Sequence, residues 1–110
     1  MNDAARRALT AMRCRPGAAR LPAKEIDAHL RALPGWTVAG DAIARTFRFA
    51  SYPETIAFVN AVAALAQRED HHPELSVHYD KCVVTWSTHS AGGVTMNDIV
   101  CAAKVDDLAP

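Results

Sequence analysis

Residues 75–88, Leu-Ser-Val-His-Tyr-Asp-Lys-Cys-Val-Val-Thr-Trp-Ser-Thr, decide the fold. Leu75, Val77 and Tyr79 alternate with Ser76 and His78, the two-residue period of a strand with one apolar face. Cys82 to Thr88 is rich in Val, Thr and Trp, which fit a pleated, half-buried surface. Asp80-Lys81 between them reads as a turn, so the two runs form a hairpin. Upstream, Ser51-Tyr-Pro-Glu54 has the form of a capping box with Pro53 in the first turn. It opens a helix to about Arg68, with Phe58, Val59, Val62, Ala63, Leu65 and Ala66 on a broad apolar face. The break falls at Asp70-His71-His72-Pro73, because the residue before a proline avoids the helical region. An earlier hairpin runs from Trp36 to Ala39, turns at Gly40-Asp41 and returns from Ile43 to Phe49, with Ile43, Phe47 and Phe49 on one side. Before it, Ala23 to Leu33 is a helix with Ile26, Leu30 and Leu33 on one face, stopped by Pro34-Gly35. After the second hairpin comes a loop, Ser90-Ala-Gly-Gly93. Thr95-Met-Asn-Asp98 then opens a helix through about Val105. The order is helix, two strands, helix, two strands, helix. This predicts a two-layer α+β fold, a four-stranded antiparallel sheet with helices packed on one face.

At 110 residues the chain suits one domain with one core. Half of it is apolar and 22% is charged, with twelve bases against twelve acids. A neutral balance points away from a dedicated nucleic-acid binder, and no apolar run is long enough to span a bilayer. The charge is unevenly spread. Residues 1–20 hold Arg6, Arg7, Arg13, Arg15 and Arg20 against Asp3 alone, so the rest of the chain is net acidic. We read 1–20 as an Arg/Ala-rich extension, frayed or forming a first helix, and 21–110 as the compact domain. The extension lacks the apolar core of a secretory signal. The expected location is the cytoplasm, with an organelle open because the start is basic and poor in acids. Cys14, Cys82 and Cys101 are odd in number and lack CxxC spacing, so they read as free thiols. Cys82 and Cys101 behave as small hydrophobes in this reading.

Three of the five histidines stand out. His71 and His72 are adjacent in the proline-terminated loop, and His89 stands where a strand meets a Gly-rich loop. Imidazole titrates near ~6.5, so it gives or takes a proton at neutral pH. Two adjacent rings on a loop can turn into one pocket, and a third from a strand end can complete a proton-transfer site. On spacing alone the blander alternative leads: His-His-Pro as a solvated helix stop and His89 as a polar strand end. Three histidines can also hold zinc, but adjacent ligands are unusual and HExxH is absent. His29 reads as a packed edge residue and His78 as facing solvent. Asp98 caps its helix in the plain reading. No GxGxxG, P-loop or GxSxG is present.

Glu69-Asp-His-His-Pro-Glu-Leu75, followed by Val83-Val-Thr-Trp-Ser-Thr-His-Ser-Ala-Gly-Gly-Val-Thr-Met-Asn-Asp98, closely resembles the pterin-4a-carbinolamine dehydratase family. Leu33-Pro-Gly-Trp36 and Phe47-x-Phe49 add to the resemblance, which covers about residues 21–108. It implies a hydro-lyase that converts a 4a-hydroxytetrahydropterin to quinonoid dihydropterin and recycles the cofactor of an aromatic amino acid hydroxylase. It also implies a dimer or tetramer, with no metal and no cofactor. Neither nucleic acid nor membrane is expected as a partner. By the same resemblance His71, His72 and His89 are catalytic. Gln67, Asp70, Pro73, Thr88, Ser90, Ala91 and Asp98 lie at the substrate, one of the two aspartates orienting an imidazole. The family often has Glu where this chain has Gln67, so Gln67→Glu should shift the pH profile of the rate. The alternative reading is a non-catalytic protein that binds pterin, or acts as a dimerisation cofactor through a helical surface.

Overall fold

The computed structural model describes residues 3–109. Helix α1 spans Asp3–Thr10 and α2 spans Ala23–Leu30. Strands β1 (Thr37–Ala39) and β2 (Ala42–Arg48) precede the long helix α3 (Tyr52–Glu69). Strands β3 (Glu74–Val77) and β4 (Lys81–Trp86), a short 3-10 turn at His89–Ala91 and helix α4 (Met96–Leu108) complete the chain. The sheet is antiparallel throughout, in the order β1-β2-β4-β3. The expected α+β architecture is therefore present, with α1 as an additional helix ahead of it.

Both hairpins form, with different turns. Ala39 pairs with Ala42, so Gly40-Asp41 is the two-residue turn read from the sequence. In the second hairpin Val77 pairs with Cys82, and the His78 N–H donates to the Lys81 carbonyl at 2.8 Å. Tyr79-Asp80 is thus the turn, one residue earlier than Asp80-Lys81. Strand β3 correspondingly ends at Val77, not Tyr79. Tyr79 stacks on Tyr52 at 6.2 Å between ring centres and stays exposed. β3 is an edge strand, so Val77 is exposed too despite its apolar phase.

Central strands carry the core. Cys82, Val84 and Trp86 alternate inward along β4 and are fully buried, as is Ile43 on β2. Against them lie Phe58, Val62, Leu65 and Ala66 of α3, and Ile99, Ala102, Ala103 and Val105 of α4. Each fully buried Val or Ile stabilises the fold by about 1.5–3 kcal/mol relative to exposure. Ala63 is exposed, outside the apolar face assigned to it. The Ser51 cap is half realised as read: Ser51 Oγ accepts the Glu54 N–H at 3.3 Å, while Glu54 Oε1 reaches past Ser51 to the Ala50 N–H.

Polar ties fix the outer pieces. Past α2, Gly35 has φ 102°, a conformation that favours glycine, and a Cβ there would have to displace the Arg45 side chain 2.9 Å away. That turn seats Trp36, whose indole N–H donates to Asp106 Oδ1 at 2.9 Å beside Arg45 at 2.8 Å. The N-terminal stretch packs on the domain: Leu9 joins the core cluster and Arg6 pairs with Asp107. Arg15 and Asn97 exchange two hydrogen bonds, at 2.9 and 2.7 Å.

Candidate active site

The end of α3 sets the first site residues. Asp70 adopts the left-handed conformation, φ 52° and ψ 43°. Its N–H donates to the Gln67 carbonyl at 3.4 Å, and the His71 N–H donates to the Ala66 carbonyl at 3.2 Å. This pair of bonds is a Schellman stop, and aspartate tolerates its left-handed residue better than most. The chain leaves the helix abruptly and lays the His71 ring over Trp86, 5.3 Å apart and nearly parallel at 16°.

His71 is gripped from the other side by α4. Its Nε2 lies 2.6 Å from Asp98 Oδ1, and Asp98 is wholly buried. The second carboxylate oxygen accepts from Thr88 Oγ1 at 2.7 Å and from the Thr95 N–H at 2.9 Å. The Thr88 and Thr95 hydroxyls also meet, at 2.9 Å. A buried carboxylate is tolerable only with such partners. Asp98 completes the capping box of α4, so one side chain both starts the helix and orients an imidazole. The hydrogen bond to Asp98 raises the His71 pKa above its ordinary value, burial opposes this, and the Asp98 charge adds to the rise. Among the described residues Nδ1 of His71 has no hydrogen-bond partner, so it is the nitrogen available to a ligand.

The three histidines line two adjoining cavities. His71, Asp70, Thr88 and Ser90 line a cavity of about 390 Å³, walled on the far side by residues 14–18 and by Glu69 and Asn97. His72 and His89 line a second, of about 240 Å³, with Asp41, Ala42, Glu74, Thr85 and Ser87. The two cavities adjoin, their linings alternating along residues 87–90. Side chains of consecutive residues diverge as the chain enters a strand. This sends His71 to Asp98 and His72 toward His89. Pro73 is half-buried, and Ala91 ends the 3-10 turn. Gln67 is exposed and lines neither cavity. A carboxylate placed there by Gln67→Glu acts through solvent, so the expected shift in the pH profile is small. Rate profiles of the two proteins check it, and a shift of a full pH unit would return residue 67 to the site. His78 faces solvent and bonds Ser76 Oγ at 2.9 Å.

The sequence reading missed Glu69. It is buried, accepts from the Cys14 N–H at 2.9 Å and Lys104 Nζ at 2.9 Å, and forms an ion pair with Arg13 Nε at 3.1 Å. Burial pushes its carboxyl pKa up, but these donors together hold it down at about 2. The signal was in the helix: Glu69 continues the buried stripe of Thr55, Phe58, Val62 and Ala66. Among the described residues no group of three or more His, Cys, Asp or Glu side chains is placed to hold a metal. No helix among them is long and apolar enough to cross a membrane.

Fold and site define a small α+β protein with a histidine–aspartate pair walled into a polar cavity. The model of the pterin 4 alpha carbinolamine dehydratase family matches residues 19–108, and the chain belongs to that family. A Chromobacterium violaceum protein with the provisional name pterin-4-alpha-carbinolamine dehydratase is 48% identical over 102 residues, 91% of this chain and 94% of that one. A Xanthomonas campestris protein with the same provisional name is 62% identical over 78 residues, 69% of this chain and 66% of its own length. A Brucella melitensis structure titled transcriptional coactivator/pterin dehydratase superposes with TM-score 0.80 at 39% identity, covering 83% of this chain and 99% of that chain. A pterin dehydratase-like protein described as a RuBisCO assembly factor in the alpha-carboxysome superposes with TM-score 0.57 at 27% identity, over 67% of this chain and 86% of that one.

Proposed function

We propose that this chain is a 4a-hydroxytetrahydropterin dehydratase working by histidine acid–base catalysis. The observation that carries the reading is the His71–Asp98 pair, with His72 and His89 together in the neighbouring cavity. In the reaction the C4a–O bond breaks and the hydroxyl leaves with an added proton as water. The adjacent ring nitrogen gives up its proton, and its electron pair forms the new double bond to C4a. One group must deliver a proton and another remove one, each contributing about 10²–10⁴-fold. Asp98 favours the protonated form of His71, which suits it to the delivering role. His72 and His89 supply imidazoles for the removal. Asp70, Pro73, Thr88, Ser90 and Ala91 shape the pterin's surroundings, and Gln67 stands at their margin. The product re-enters the cofactor cycle of an aromatic amino acid hydroxylase, and the working form is a homo-oligomer in the cytoplasm.

Turnover of a 4a-hydroxytetrahydropterin generated in situ tests this. The wild-type protein is expected to accelerate dehydration strongly, and His72→Ala to remove most of the acceleration. A folded wild-type protein with no acceleration would overturn the reading. A second reading is an assembly or coactivator role, such as those described for the two solved relatives. Such a role would use an outer surface, so replacing His71, His72 and His89 together would leave it intact.

A further inference from the structure

Cys14 and Cys101 are 87 positions apart in sequence, yet their sulfurs lie 3.3 Å apart. Cys14 sits in the N-terminal stretch and lines the cavity that holds His71. Cys101 is fully buried on α4, three residues after Asp98. Cys101 belongs to the core cluster and Cys14 packs against it, while the dehydration chemistry uses neither sulfur. We propose that Cys14 and Cys101 are a peroxide-oxidised thiol pair, closing reversibly to a disulfide that ties residues 14–18, one wall of the His71 cavity, to α4.

Geometry assigns the two sulfurs different parts. Cys14 is partly exposed at the cavity and so meets the oxidant, while Cys101 is shielded. The sulfur–sulfur hydrogen bond with Cys101 holds the Cys14 thiol below its ordinary pKa against the opposing pull of burial. The same contact, with burial, pushes Cys101 up. Cys14 is therefore the nucleophile, since the thiolate is the reactive form. The Cys14 thiolate attacks one oxygen of hydrogen peroxide, giving the sulfenic acid and hydroxide, which takes up the proton Cys14 had released. The Cys101 thiol then displaces the sulfenic hydroxyl, forming the S–S bond and releasing water. In all, two thiols are oxidised and one peroxide is reduced to water. The sulfurs must close from 3.3 Å to about 2.05 Å, which side-chain rotation on the N-terminal stretch supplies. That stretch is already held beside α4 by the Arg15–Asn97 bonds, so the partners are prealigned.

The experiment treats the full chain with hydrogen peroxide, quenches it, alkylates free thiols under denaturing conditions and maps the peptides by mass spectrometry. The expected product is a cross-linked pair of peptides carrying Cys14 and Cys101, lighter by two hydrogens than the dithiol. Cys82 should remain alkylated, and dithiothreitol should restore both thiols. In Cys14→Ser, Cys101 should stay alkylatable after the same treatment. Cys14 oxidised while Cys101 stays free, a Cys14 bridge between two copies, or both thiols surviving peroxide would each overturn the proposal. None of these readouts involves turnover, so the result stands apart from the dehydratase reading.

Discussion

Replacing Asp98 by asparagine is expected to slow dehydration by about 10²-fold or more, with the fold retained. Shape is nearly conserved, so the effect comes from the change in donors. One carboxylate oxygen serves Thr95 N–H and Thr88 Oγ1, and the other serves His71 Nε2. An amide has only one oxygen. The backbone N–H of Thr95 can only donate, so the amide oxygen belongs there and the NH2 faces His71. His71 must then accept at Nε2 and carry its proton on Nδ1, the opposite tautomer. The charge that favoured the imidazolium is also gone, so the His71 pKa falls. In the wild type, the stability contributed by the raised His71 pKa is complete below the unfolded value of 6.5 and is lost as pH rises through the higher folded value. Asp98→Asn should flatten that dependence and cost about 1–3 kcal/mol. Single-turnover rates against pH, with NMR titration of the His71 ring, check it. A lowered His71 pKa with an unchanged rate would make the pair structural and leave the chemistry to His72 and His89.

The same residue shows what was legible in the sequence and what was not. Thr95-x-x-Asp98 announced a helix start, and that local pattern holds because a capping box closes within four residues. That Asp98 also holds His71 depends on α4 crossing the end of α3, a contact between residues 27 positions apart. Period and turn chemistry gave the strands of the sheet, yet the edge position of β3 exposes Val77, which an alternation pattern alone cannot reveal. The resemblance picked out His71, His72 and His89 together, but the division of their side chains between two cavities is a matter of local backbone direction. Glu69 was hidden by its charge. A carboxylate on an apolar stripe reads as a helix-end residue until Arg13, Cys14 and Lys104 are seen around it. Cys14, read as lying in an extension, is part of a cavity wall for the same reason: long-range packing leaves little local trace.

Glu69→Gln is expected to lower the melting temperature at neutral pH by roughly 10–20 °C. The wild-type carboxyl is held at about 2, against an ordinary 4.5, and its side chain is only 4% exposed. By linkage that difference corresponds to about 3 kcal/mol of stability. A carboxylate with a depressed pKa contributes fully above its unfolded value and loses the contribution as pH falls through its folded value. The wild-type advantage over Glu69→Gln should therefore be complete above about pH 5, shrink below 4.5 and be gone near pH 2. Glutamine keeps one acceptor for the Cys14 N–H but turns an NH2 toward cationic donors. Lys104 bears most of this, because its side chain is 15% exposed whereas Arg13 is 69% exposed and rehydrates readily. An unpaired buried ammonium is the costly remnant of a broken pair. Adding Lys104→Met to Glu69→Gln should accordingly recover part of the lost stability, a non-additivity that a double-mutant cycle measures. Arg13 and the Cys14 N–H also anchor the N-terminal stretch to Glu69, so trypsin should cut Glu69→Gln faster after Arg13. Thermal melts of the four proteins from pH 2 to 7 decide the matter. A single variant melting within a few degrees of wild type at pH 7, or a deficit that persists undiminished at pH 2, would show that Glu69 does not hold the N-terminal stretch to α4 electrostatically.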